Sequence, residues 1–203
     1  MLRPALAAAL LLTAAAATAQ APMTKPGSPD ASKASAGSYK VDPGHTMVVW
    51  TVDHMGFTPY TGIFGDVTGT LAFDPKMPDA AKVDVVIPVA KITTANADLT
   101  KHLLTKDFFG AAPADAHFVS TKVVARGQSA TITGNLTLNG VTKPVTLAAK
   151  FYGAGTLPPQ MGGGAGLGFT ATATIKRSDF GLGYGVPIVS DAVELKIYIG
   201  LMK

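Results

Sequence analysis

The side chains that could do chemistry in this sequence are four histidines and two Ser-Asp pairs. A zinc enzyme would place its ligands in a pattern such as H-E-x-x-H, and a serine hydrolase would carry a G-x-S-x-G turn. Neither pattern occurs, and no cysteine is present to act as a nucleophile, a metal ligand or half of a disulfide. The glycine-rich run at 162–168 precedes a strand-like stretch instead of a helix, which excludes a dinucleotide-binding fingerprint. The residues therefore indicate no catalytic group, no metal and no cofactor.

Strands are the elements that must position any site. In residues 129–138, 169–176 and 193–201, apolar and polar side chains alternate, and a period of two predicts half-buried strands. Asn139-Gly140 between two such runs predicts a type I′ hairpin. The pattern predicts an all-β, antiparallel fold. Its long strands are expected at 46–55, 61–73, 82–89, 116–126, 129–138, 141–153, 167–177 and 191–201.

Eight long strands in an open sheet would leave exposed edges, so we expect the sheet to close into a barrel. At that strand number the interior is either filled by its own side chains or able to hold one small ligand. Small residues on inward registers favour an open interior, although a glycine can also mark a bulge or a corner. These small residues are Gly62, Gly69, Gly134, Ala149, Ala171 and Ala173.

The segment KHLLTKDFFGAAP, residues 101–113, favours an open interior over a filled one. Its side chains Leu103, Leu104, Phe108 and Phe109 form an apolar surface too large to leave in water. We therefore expect a short helix that caps one open end of the barrel.

The N-terminal residues predict export. Residues 1–19 combine Arg3, an apolar run and an A-x-A site, which is the pattern of a cleavable signal peptide, and this run is shorter than the about 20 residues of a membrane span. Residues 20–38 are rich in Pro, Ser, Ala and Gly and predict a flexible leader, followed by one domain at 39–203.

The formal charge is only +4 and the cations stand singly along the sequence, so nucleic acid is not an expected partner.

Seven blocks follow one another along residues 39–197: YKVDPGHTMVVWTVDHMGF, GIFGDVTGTLAFDP, ITTANADLTKHLLTKDFF, FVSTKV, TGNLTLNGVTKPVTL, RSDFG and VSDAVELKI. Together these blocks resemble the YceI-like, polyisoprenoid-binding family. The resemblance implies a lipocalin-like, eight-stranded antiparallel barrel in the bacterial periplasm, with an isoprenoid chain in an apolar tunnel and no catalytic residues. It also leaves room for a homodimer.

We therefore predict a periplasmic binding or carrier protein that sequesters a polyisoprenoid or isoprenoid-quinone lipid and touches a membrane at most transiently. The expected cavity wall is a set of aromatic and cap residues on or near apolar registers, each of which could singly belong to an ordinary core. This set is Trp50, Phe64, Phe73, Leu103, Phe108, Phe109, Phe118, Phe151, Phe169 and Phe180.

Three polar residues are candidates for contact with the lipid head group. His54 shares a strand face with Trp50, and Lys101 and His102 belong to the cap segment. Each also has an ordinary role, as a hydrogen-bonded structural histidine or a solvent-exposed side chain. Two hypotheses from other classes stay open: a metal-assisted lipid-modifying enzyme at the barrel mouth, and a structural or stress protein that binds nothing.

Overall fold

The structure, a computed structural model, describes residues 24–203. The predicted signal peptide at 1–19 lies outside these residues. Twelve strands and one α-helix, α1 (Ala97–Leu103), make up the regular structure of the described part, together with short 3-10 helices. The strands are β1 (Gly27–Ser28), β2 (Gly37–Val41), β3 (Met47–His54), β4 (Thr58–Phe64), β5 (Thr68–Phe73), β6 (Lys82–Ile87), β7 (Ile92–Thr94), β8 (Ala116–Arg126), β9 (Ser129–Leu138), β10 (Val141–Thr156), β11 (Ala165–Lys176) and β12 (Ala192–Met202).

The sheet closes on itself as an antiparallel barrel with eight strand positions. Strands β2 and β3 lie end to end along β12, and β5 and β4 follow along β2 and β3. Strands β6 and β7 form the next position, and β8, β9, β10 and β11 complete the circle back to β12. The predicted all-β, eight-stranded barrel with a short helix is confirmed.

Local sequence signals explain several boundaries of these strands. Asn139 and Gly140 have φ angles of 50° and 74°, as a type I′ turn requires, and they join β9 to β10 with Leu138 opposite Val141. The single strand predicted at 61–73 is divided into β4 and β5 around Asp66, whose φ is 54°. A 3-10 helix at Pro43–His45 divides β2 from β3 in the same way.

The barrel has two distinct ends. The closed end carries α1, the Asn139-Gly140 turn and the segment 177–191 that links β11 to β12. The mouth end, at the opposite pole, carries the turn of the β8–β9 hairpin at Gly127, the loop 74–81 between β5 and β6, and the C-terminus of β12.

Regular structure begins before Tyr39, where the sequence analysis placed its start. Gly27 and Ser28 pair with Gly155 and Ala154 of β10, and Asp30 caps a 3-10 helix at Ala31–Lys33. Gly155 permits this pairing, because an added Cβ would overlap the backbone of Pro26. The partner strand lies more than a hundred residues away, so composition alone did not reveal it.

Candidate functional site

The barrel encloses an apolar cavity of about 300 Å³. Valine, isoleucine, leucine, alanine and phenylalanine side chains from β5, β6 and β8 to β12 form its walls. Side chains such as Val85, Leu147 and Ile197 face inward yet stay only partly buried, because open space adjoins them in place of packed neighbours. The volume lies at the lower end of the range of about 300–1,000 Å³ that is typical of ligand pockets.

Three alanines on neighbouring strands contribute to the wall of the cavity. Ala149 of β10 lies opposite Ala130 of β9 on one side and Ala171 of β11 on the other, and all three line the cavity. Because each side chain ends at Cβ, this part of the wall leaves room that larger residues would fill.

The expected role of the inward glycines is wrong for two of them. At Gly62 an added Cβ would overlap the ring of Trp50, and at Gly134 it would overlap the ring of Phe118. Each glycine therefore lets an aromatic ring from the neighbouring strand lie across its backbone. At Gly69, whose φ is 138°, the nearest atoms are backbone atoms of β6, so this glycine serves a close strand contact.

The cavity reaches the surface at the mouth end. Its wall there includes Ala31 and Ala34 of the N-terminal segment, Pro75 and Pro78 of the loop after β5, and Gln128 in the β8–β9 turn. Ala31, Pro75 and Gln128 are exposed to solvent. A ligand would therefore enter between the N-terminal segment and these turns.

Three phenylalanines from three strands pack together in the cavity wall towards the mouth. The ring centroids of Phe73 and Phe169 are 6.0 Å apart, and those of Phe151 and Phe169 are 5.7 Å apart, both in edge-to-face geometry. All three rings line the cavity, and all three are only partly buried.

An aromatic cluster beneath the cap segment fills the closed end. Trp50 and Leu103 are buried there with Ile92 and Val193, and Phe108 and Phe109 pack against them. The ring of Phe109 meets that of Phe64 edge to face at 6.1 Å, and Phe64 is the member of this contact that lines the cavity. The cap segment thus closes one end of the barrel, although its helix begins at Ala97, earlier than expected, and stops before the two phenylalanines.

A second segment, 177–182, closes the same end from the opposite side. Phe180 is only 1% exposed and packs with Leu182 against Phe118, Leu136 and Val145. Its backbone carbonyl accepts a hydrogen bond from Asn139 Nδ2 at 3.0 Å, which ties the segment to the β9–β10 turn.

Arg177 holds the segment 177–191 in place from the inside. Its guanidinium donates hydrogen bonds to the carbonyl oxygens of Leu182 (2.6 Å), Tyr184 (2.7 Å), Val189 (2.8 Å) and Ser190 (2.9 Å). Burial lowers the pKa of Arg177 from its usual value, and the nearby charge of Asp191 partly offsets that effect. The residue is a buried cation whose partners are backbone carbonyls, so it acts as a structural clamp.

Asp191 completes this clamp at the start of β12. Its carboxylate accepts hydrogen bonds from Ser178 N and Ser178 Oγ, both at 2.8 Å. These bonds lower the pKa of Asp191 below its usual value. The stabilisation is therefore present at neutral pH and is lost as the pH falls below the ordinary range of an aspartate.

The ten predicted wall residues divide between the cavity and the closed end. The five that line the cavity are Phe64, Phe73, Phe118, Phe151 and Phe169. The five that lie in the packing of the closed end are Trp50, Leu103, Phe108, Phe109 and Phe180. Residue type, strand register and the cap segment suggested these ten residues, but the level of each residue along the barrel decides whether it meets open space.

The three head-group candidates lie away from the cavity. His54 and Lys101 are exposed at the closed end. His102 Nε2 lies 3.2 Å from Asp107 Oδ2, and its ring packs edge to face on Phe108 and Tyr184 at 5.3 and 5.8 Å. None of the three lines the cavity, and a contact between these residues and a head group stays a prediction.

Three polar residues that border the cavity at its mouth were missed by the sequence analysis. They are Gln128, Ser129 and Lys150. All three lie at the mouth end, where the end of β8 and the start of β9 pair with each other and Ser129 pairs with Lys150 of β10. Their only sequence signal was a position at or near the ends of predicted strands.

Among residues 24–203, no three histidine, aspartate or glutamate side chains are grouped closely enough to hold a metal ion. In the same part of the chain, no helix has the length and apolar character needed to cross a bilayer.

Comparison with known proteins places this geometry in a family. A model of the YceI-like domain matches residues 39–201. The chain belongs to the YceI-like family. It is 43% identical over 173 residues to a UPF0312 protein of Pseudomonas paraeruginosa, an alignment that covers 83% of this chain and 88% of the relative.

Solved structures share the YceI-like barrel. Burkholderia cenocepacia BcnA superposes with a TM-score of 0.68 at 26% identity, covering 79% of this chain and 98% of BcnA. A polyisoprenoid binding domain from Saccharophagus degradans, implicated in plant cell wall breakdown, gives a TM-score of 0.60 and covers 81% of this chain and 97% of that domain. At 14% identity, the second likeness is one of fold.

Proposed function

We propose that this YceI-like protein is a periplasmic carrier that sequesters a polyisoprenoid or isoprenoid-quinone lipid in its barrel cavity. No reaction is part of the proposal. The observation that carries it is the cavity of about 300 Å³, walled by apolar side chains and open at the mouth end.

The chemistry of the wall favours a hydrocarbon ligand. Water occupies roughly 30 Å³ per molecule, so a cavity of this size has room for several waters, each of which needs two or more polar partners. The inward faces of the strands offer them almost none, since the polar lining residues cluster near the mouth. An apolar tail gives up no hydrogen bonds by entering such a space, whereas a polar body would leave its hydrogen-bonding groups unsatisfied.

The free energy available is sufficient for stable binding. Enclosing about 500 Å² of hydrocarbon at roughly 25 cal/mol per Å² contributes on the order of 12 kcal/mol before the costs of association and chain ordering. Micromolar affinity corresponds to about 8 kcal/mol, so binding at that level survives a loss of about 4 kcal/mol.

The branched shape of an isoprenoid suits this wall better than a linear chain does. Its methyl branches would meet the recess at Ala130, Ala149 and Ala171 and the larger rings nearer the mouth. The fold shared with the polyisoprenoid binding domain of Saccharophagus degradans supports the same ligand class. Because the cavity is small for a long tail, the remainder of the chain and the head group would lie at the mouth.

The deciding experiment is identification of the lipid that co-purifies with the protein. Native mass spectrometry of protein from its own host should show a mass increment, and organic extraction should release an isoprenoid in stoichiometric amount. Protein that carries no lipid, and takes up none when offered a polyprenol or a quinone, would overturn the proposal. Cell fractionation of the full-length chain tests the periplasmic location separately.

A further inference from the structure

We propose that the mouth end of the barrel is a docking surface for an anionic lipid bilayer, with the cavity opening turned towards the membrane. The proposal goes beyond lipid binding, because it concerns the outside of the barrel and rests on charges and exposed apolar side chains. Its test does not depend on which ligand, if any, the cavity holds.

The mouth end concentrates positive charge. Six cations, here called the rim cations, lie on its turns and strand ends, and all six are exposed. Four carboxylate side chains lie on the same elements: Asp30, Asp74 and Asp79 at the rim, and Asp84 further along β6, where it contacts His117. The rim cations are Lys33 beside the N-terminal 3-10 helix, Lys76 in the loop after β5, Lys82 at the start of β6, Arg126 and Lys150 beside the β8–β9 turn, and Lys203 after β12.

The rim carboxylates accept hydrogen bonds from backbone N–H groups, and among residues 24–203 none of them lies within 4.0 Å of a rim cation. Asp30 accepts from Ser32 N, Asp74 from Lys76 N and Asp79 from Ala125 N. Among residues 24–203 the rim cations form no ion pair within 4.0 Å, and Lys203 Nζ donates only to the carbonyl of Ala36.

The rest of the barrel is arranged differently. Lys91 pairs with Asp66 at 3.3 Å and Lys101 with Asp98 at 3.4 Å, both towards the closed end. The closed end also carries Asp53, Asp107 and Asp179, so its cations are balanced by acids. Although the net charge is only +4, the excess of positive charge is concentrated at the mouth end of the barrel.

Large apolar side chains are exposed at both ends of the barrel, such as Phe57 and Ile188 at the closed end, and those of the mouth end lie near the rim cations. Met77 is 59% exposed beside Lys76, and Tyr152 is 74% exposed where β10 passes the mouth. Surfaces that combine lysine or arginine with exposed aromatic and apolar side chains are typical of proteins that lie on a membrane interface. An acidic protein partner would account for the cations, but it would not account for their position around the opening of an apolar cavity.

Anionic membranes attract such a surface strongly enough to measure. Each lysine or arginine close to an anionic bilayer contributes roughly a fivefold gain in partitioning, and salt screens the attraction beyond about 10 Å at 0.1 M. We therefore expect binding to depend on anionic lipid and to weaken with ionic strength.

The test is co-sedimentation of the purified protein with vesicles of phosphatidylcholine alone and of phosphatidylcholine with about a third phosphatidylglycerol. A rim variant carries Lys76→Glu, Lys82→Glu and Arg126→Glu, and a matched control carries Lys106→Glu, Lys143→Glu and Lys176→Glu, so both have the same net charge. We expect binding to the anionic vesicles only, a loss of at least about 100-fold in the rim variant, and a much smaller loss in the control.

Three outcomes would overturn the proposal. They are equal binding to both vesicle compositions, no binding to anionic vesicles by the unaltered protein, and equal losses in the two variants, which would show an effect of net charge alone. Circular dichroism of both variants should match that of the unaltered protein, since every substituted side chain is exposed. Extraction of lipid from the same preparations reports on the cavity separately.

Discussion

The two ends of this barrel, built from the same strands, differ in how completely their interiors are packed and in whether their cations have acidic partners. At the closed end, Phe180 and Leu103 are buried and Arg177 donates hydrogen bonds to four backbone carbonyls, so the inside of this end is filled. At the mouth end, Phe73, Phe151 and Phe169 stay partly exposed around a cavity, and the nearby cations form no ion pair with any residue of 24–203.

This difference separates stability from binding along the barrel axis. Dense packing and the hydrogen bonds of Arg177 at one end provide a rigid base, and incomplete packing at the other end leaves free energy to be gained from a ligand. Substitutions at the closed end should therefore alter the free energy of unfolding. Substitutions in the cavity should alter ligand affinity instead.

The largest expected effect comes from removing the clamp at the closed end. Arg177→Met leaves the four carbonyls without their donor in a buried site, and we expect the free energy of unfolding to fall by about 3–5 kcal/mol. Urea denaturation followed by circular dichroism measures this loss. Lys176→Met, at the exposed residue next to Arg177, is the control and should change the free energy of unfolding by less than about 0.5 kcal/mol. An unchanged Arg177→Met protein would show that the segment 177–191 does not depend on the clamp.

Filling the cavity should have the next largest effect, on affinity. Ala149→Phe places a ring in the recess between Ala130 and Ala171, and we expect affinity for an apolar ligand to fall by at least about tenfold, or 1.4 kcal/mol. Titration with a fluorescent hydrocarbon probe measures the change. Ala148→Phe is the matched control, because Ala148 is exposed on the outer face of the same strand. Equal affinity of the two variants would place the ligand outside the barrel.

A smaller change at the closed end should increase stability. Tyr60 Oη is buried and has no hydrogen-bond partner in the described part of the chain, and its ring lies 6.4 Å from that of Trp50. Tyr60→Phe removes this unsatisfied hydroxyl, so we expect the midpoint of thermal unfolding to rise, by about 1 kcal/mol in free energy. Tyr198→Phe on the exposed surface should leave the midpoint unchanged. A destabilised Tyr60→Phe protein would reveal a partner for the hydroxyl.

The smallest expected effect is at a residue that the sequence suggested for the head group. Lys101 is exposed at the closed end, and its Nζ lies 3.4 Å from Asp98 Oδ1. Lys101→Ala should leave ligand affinity within about twofold, and stability within about 0.5 kcal/mol, because exposed ion pairs contribute little. A loss of affinity measured with the same probe would mean that the ligand reaches the closed end, and the contrast between the two ends would then fail for binding.

Much of the fold could be predicted because its signals are local. The strand at 129–138, the Asn139-Gly140 turn and the strand that follows all have the predicted positions, since side-chain alternation and turn chemistry act over two to four residues. The N-terminal pairing of Gly27 with Gly155 was not predicted, because it depends on a contact between distant parts of the chain.

The site was predicted only in part, for the same physical reason. Phe118 and Phe180 both stand out as large apolar residues, yet one lines the cavity and the other closes the barrel. Gly62 looked like a source of space, whereas the ring of Trp50 occupies the position that its side chain would take. Which residues meet open volume depends on the register of strands that are far apart in sequence.

The sequence by itself determined the strand pattern, the absence of cysteine and the membership of a barrel family, because each is read from neighbouring residues or from composition. Only the tertiary structure decided which end is open, where the space lies and which cations surround it. A cavity is the volume that remains after side chains from all the strands have met, and no local stretch of sequence carries that information.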